Sequence, residues 1–105
     1  MAGTVAMVGV LAATLALSAA VVTAGAASAW SQRLSGVADR AALAAADAAS
    51  GALAGDPCER AAQVAATADA ELESCDIEGL VVTVAVAASF GSLPATVWSR
   101  AGPPP

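Results

Sequence analysis

The chain has 105 residues, 58% of them hydrophobic, 12% charged and 3% aromatic, with a formal net charge of -5. That balance belongs to a membrane-associated or assembling chain rather than to an ordinary soluble domain. It argues against nucleic acid as a partner, because four arginines and no lysine make no basic patch to neutralise phosphates. Histidine is absent, so the commonest general base and metal ligand is missing, and no cofactor, metal ion or small-molecule substrate is expected.

Residues 1–32 carry no charged side chain, and Val5 to Ala29 reads VAMVGVLAATLALSAAVVTAGAASA. At about 1.5 Å per residue this run is long enough for a hydrocarbon core of roughly 30 Å, which predicts a transmembrane anchor over 1–32. Trp30 then falls in the interfacial belt, with Ser31, Gln32 and Arg33 among the headgroups. A cleaved signal peptide is the rival reading, since Ala27-Ser28-Ala29 before Trp30 has the A-x-A form of a cleavage site. The small residues Gly9, Ala13, Ala12, Ala16, Ala20 and Ala24 recur four apart, a spacing that lets helices approach closely in lipid.

A helical stem is expected over 33–55. Leu34, Ala38, Ala41, Ala45, Ala48 and Ala52 step by four and three, a heptad-like seam of small residues suited to close helix packing. Arg33, Arg40 and Asp47 recur every seven residues and make a wet stripe. Gly36 allows a bend, and Gly51 with Gly55 signals the helix end. Two partners for the seam remain open: a small domain of the same chain, or a neighbouring subunit. Asp39 is either a solvated stem residue or a hydrogen-bonding group in a packed assembly.

The run ADRAALAAADAA (38–49), standing directly after an N-terminal hydrophobic helix, resembles the A-x-D-x-A-A-L-A-A signature of TadE- and TadG-like proteins of the Flp, or tight-adherence, pilus system. With GDPC, a second cysteine, a valine strand and an RAGP tail, the chain is similar over nearly its whole length to the small actinobacterial TadE-like proteins encoded in a helicase and secretion gene neighbourhood. That resemblance implies a minor pilin or pseudopilin, single-pass in the cell membrane with an extracytoplasmic head, whose partners are the membrane and other pilin-like or Tad secretion subunits. Carried onto this sequence, the assembly motif is Ala38, Asp39, Ala41, Ala42, Leu43 and Ala45.

A small head is expected over 56–101. Asp56-Pro57-Cys58-Glu59 is a helix start, with Asp56 as N-cap, Pro57 at the first helical position and Glu59 completing a capping box. The helix from Pro57 to Ala70 places Ala61, Val64, Ala65 and Ala68 on one face. Strands are expected at 71–76, at 80–89 with Leu80, Val82, Val84 and Val86 on one face, and at 95–100, joined by turns at Glu78-Gly79 and at 90–92. Gly102 and three prolines form an extended tail over 102–105.

The fold class is therefore α+β: a long N-terminal hydrophobic helix, then a small helix on an antiparallel three-stranded meander, pilin-like. A disulfide between Cys58 and Cys75 would close an 18-residue loop, worth about 3 kcal/mol in the chain-entropy model, and would staple a head poor in large core residues. Unpaired structural thiols and a redox pair are the alternatives; without histidine the spacing fits no zinc pattern. Charge and cysteines disagree on topology. Arg33 and Arg40 after the span favour a cytoplasmic head, whereas an oxidised pair requires the outside and is given precedence. Glu71 and Glu73, sharing a strand face, are read as solubilising charges, and no serine or threonine has a base partner. Trp98 is either core or an interface anchor. The chain is thus expected to be a non-enzymatic membrane-anchored pseudopilin, the alternative being a small secreted binding protein released after Ala29.

Overall fold

A computed structural model describes residues 2–105. The fold is α+β, with α1 over Ala2–Ser50, α2 over Pro57–Thr67, and strands β1 (Glu71–Glu78), β2 (Val81–Phe90) and β3 (Leu93–Ala101). The chain divides into two compact units, one ending at Trp30 and one running from Ser31 to Pro105. The stem therefore belongs to the same compact unit as the head.

In the first unit α1 is built from alanine, valine and leucine without a charge, and is long and apolar enough to cross a membrane. In the second, α1 continues through Gly36 and ends at Ser50. Leu53 N–H donates to the Asp47 carbonyl at 3.1 Å, closing the last turn as the chain leaves the helix at Gly51.

The three strands form one antiparallel sheet in the order β1-β2-β3. Both hairpins have two-residue loops, Gly79-Leu80 and Gly91-Ser92. In each the first loop residue is a glycine at φ +62, where a tight hairpin turn of this hand needs a residue without a Cβ. Leu80, expected to begin the valine face of β2, thus falls in the turn and is half exposed.

The core of the second unit joins stem, sheet and α2. Val82, Val84 and Val86 alternate along β2 and are fully buried, as are Ala38, Ala41, Ala42 and Ala45 of the stem and Ala61 and Ala65 of α2. These valines are the largest fully buried side chains, so this core is small for its length. α2 lies beside β1 and stops three residues before the expected end. Asp69 takes a left-handed conformation (φ 56), and Ala70 N–H returns to the Ala65 carbonyl at 3.0 Å. Aspartate tolerates that backbone better than most residues, so Ala68, expected on the packing face, becomes the helix cap instead.

Candidate functional site

The surface of the first unit is its chemistry. Val5, Leu15 and Val22 are 74%, 72% and 71% exposed, and no side chain between residues 2 and 26 is buried. Two of the three threonines of this segment, Thr14 and Thr23, turn their hydroxyls inward along the helix. Thr14 Oγ1 donates to the Val10 carbonyl at 2.8 Å and Thr23 Oγ1 to the Ala19 carbonyl at 2.9 Å. Both of these hydroxyls are satisfied without water, which suits residence in hydrocarbon. An apolar surface this extensive is costly in water and favourable in lipid.

In the second unit the structure scatters the expected assembly motif over two roles. Ala38, Ala41, Ala42 and Ala45 are fully buried within the unit, so they cannot also meet a neighbouring subunit. The reason is stereochemical: small alanine side chains let the rest of the unit cover the seam. Asp39 is fixed by the same packing, its Oδ1 accepting a hydrogen bond from Ser99 Oγ at 2.6 Å across sixty residues of sequence. Leu43 of the motif is open, at 56% exposure, and Asp39 is exposed too. Of the seam, Ala48 is only partly covered and Ala52 is exposed, whereas Val37, which the four-and-three stepping omits, is buried. The buried stripe is wider than a heptad seam, as for a helix packed on a sheet.

Cys58 and Cys75 are joined by a disulfide with Cα atoms 5.9 Å apart, linking the first turn of α2 to the middle of β1. Asp56 Oδ1 accepts from the backbone N–H groups of Cys58 at 2.9 Å and Glu59 at 3.1 Å, a complete N-cap from one oxygen. The Glu59 carboxylate makes no bond back among the described residues, so the capping box is half built. A residue that sequence reasoning passed over holds the loop instead: Arg60 Nε donates to the Ala54 carbonyl at 2.7 Å. A Cβ at Gly55 would come within 2.9 Å of that nitrogen, so glycine leaves the room the guanidinium uses. Replacing Asp56 with alanine is expected to cost about 1 kcal/mol, read as a lower denaturation midpoint with faster amide exchange at Cys58 and Glu59.

The other face of the sheet is partly covered, Ala85 on it being fully buried. Trp98 stands opposite Ala85 there and is 62% exposed, which removes the core reading and leaves that of an interface anchor. Glu73 is the extra residue of a β-bulge between Leu72 and Ser74, and its Oε2 accepts from Thr96 Oγ1 of β3 at 3.0 Å. Asp69, Glu71 and Glu73 border one shallow depression. Among the described residues no group of acids or cysteines is arranged to hold a metal ion, and no polar or charged residue is buried as a whole, although the Ser74 Oγ is covered and has no hydrogen-bond partner.

The chain was compared with family models, curated proteins and solved structures, and none matches it.

Proposed function

We propose that this chain is a bitopic, membrane-anchored structural protein of the TadE-like, pseudopilin kind, with its disulfide-linked head on the extracytoplasmic side and no catalytic activity. One observation carries the reading. The uncharged first part of α1 exposes its apolar side chains all round and runs without a break in the helix into a small folded unit, the plan of an anchor with a head. Further support comes from the ADRAALAAADAA run in this position and from the absence, among the described residues, of the buried ionisable groups with which active sites shift proton affinities. Partner subunits would meet the chain at the span, where Gly9 and the four-spaced alanines permit close approach, and at Leu43 and Trp98 on the head.

Membrane extraction and intact mass test this together. The full chain is expected to stay with membranes at alkaline pH and to keep residues 1–29. A soluble protein whose mass begins at Trp30 would sink the anchor reading. That outcome is the secreted binding protein, a second reading favoured by one feature: the compact unit starts at Ser31, so cleavage after Ala29 would release the head whole.

A further inference from the structure

The two edges of the sheet are protected unequally. β1 carries Glu71, Glu73, Asp76 and Glu78, is interrupted by the bulge at Glu73 and has α2 beside it. Charge, a bulge and a covering helix all keep a sheet edge from pairing with another chain. β3, the opposite edge, lacks these devices: Arg100 is its one charge, and among the described residues no backbone bond joins it to a loop or helix.

Hairpin geometry fixes which backbone groups of β3 are spare. A two-residue loop closes on a hydrogen-bonded pair, here Phe90–Leu93, and such pairs recur at every second residue. Leu93, Ala95, Val97, Ser99 and Ala101 therefore bond to β2, whereas Pro94, Thr96, Trp98 and Arg100 turn their backbone groups outward. Pro94 agrees, since a proline in an edge strand takes a position whose missing N–H faces away from the ladder. Thr96, Trp98 and Arg100, each exposed, present both N–H and C=O along the edge.

Their spacing is self-complementary. In an antiparallel pairing centred on Trp98, that residue meets its own copy, and Thr96 of each chain meets Arg100 of the other, giving three hydrogen-bonded pairs. Moving the centre by one residue in either direction leaves only two complete pairs, because Pro94 has no N–H and the strand ends at Ala101. Charge favours the same register. Glu73 Oε2 accepts from Thr96 Oγ1 at 3.0 Å, so an arginine set opposite Thr96 lies beside a carboxylate, and Arg100 makes no hydrogen bond or ion pair of its own among the described residues. By symmetry the contact forms twice.

We propose that β3 pairs antiparallel with β3 of a second copy of this chain, centred on Trp98, joining two three-stranded sheets into one of six strands. The pairing concerns the second unit alone and holds whether the span is retained or removed after Ala29. A strand of another protein is the weaker choice, for the acid beside Thr96 calls for a cation two residues past the centre, and this same strand supplies it.

Nitroxide labels on the full chain in mild detergent, without reductant, decide it. A label at Ser92→Cys is expected to show a dipolar distance to its copy of roughly 40 Å, the span of about twelve strand residues across the join, and each step of register moves that distance by about 7 Å. Trp98→Pro, which deletes an outward N–H and the indole but no bond to β2, should abolish the signal while the circular dichroism spectrum of the head is kept. Arg100→Glu, a surface change that spares the fold, should weaken pairing by about tenfold, and adding Glu73→Arg should restore it. No dipolar signal at Ser92, or a distance more than about 4 Å from the expected one, overturns the proposal. A signal that survives Trp98→Pro means the copies meet elsewhere, such as along the span, and overturns it too. So does an Arg100→Glu chain that pairs as well as the native one, or a double variant that does not recover.

Discussion

Replacing Ala41 with leucine is expected to lower the thermal midpoint of the head by on the order of 10 °C. Ala41 is fully buried, between Ala38 and Ala45 on the stem face that packs within the unit, and a leucine adds three carbons where no space exists. Overpacking of this kind costs about 1–3 kcal/mol, and in a domain of this size each kcal/mol moves the midpoint by about 4–8 °C. Leu43, two residues on and 56% exposed, is the control: Leu43→Ala should stay within about 0.5 kcal/mol. Circular dichroism melts of the full chain in detergent, at dilutions where it is monomeric, read both. The contrast also separates two uses of the seam. Were the alanines a surface between chains, Ala41→Leu would leave the monomer's melt unchanged and disturb only association; that pattern would refute the intrachain packing.

The partner of this seam is what the sequence left open, and the reason is physical. A stripe of alanines specifies close approach but not what approaches, since alanine fits a helix, a sheet or another subunit equally well. Val37 and Ala42 widen the stripe, and a reading in steps of four and three overlooked Val37. Elements defined by strong local rules were legible. Two loop glycines at +62 place both hairpins, the alternation of Val82, Val84 and Val86 gives the buried face, and Asp56-Pro57 starts α2. Features that depend on a tertiary neighbour were not. The bulge at Glu73, the clasp from Arg60 to Ala54 and the bond from Ser99 to Asp39 have no signature at the scale of a few residues. For Trp98 the sequence left core and interface anchor open, and its register opposite the buried Ala85 sets it on the face away from Val82, Val84 and Val86, where it is 62% exposed.

Reduction of the Cys58–Cys75 bond is expected to have the largest effect of all on the head. In the chain-entropy account the cross-link restricts the unfolded ensemble by closing an 18-residue loop, and its loss costs about 3 kcal/mol. A core whose largest fully buried side chains are three valines has little reserve against that loss, for small domains carry only a few kcal/mol of net stability. The Cys58→Ser/Cys75→Ser pair, and the native chain treated with reductant, should therefore melt at nearly the same temperature, on the order of 15 °C below the oxidised chain. Coincident melts assign the loss to the bond rather than to the serine substitutions. In the denatured chain a thiol reagent should modify neither cysteine until reductant is added. Equal midpoints before and after reduction would refute the staple, whatever the geometry of the pair. Because such a bond persists only in an oxidising compartment, the same labelling on intact cells tests the proposed topology: cysteines found as free thiols on the cytoplasmic side would leave Arg33 and Arg40, and with them a cytoplasmic head, as the deciding signal.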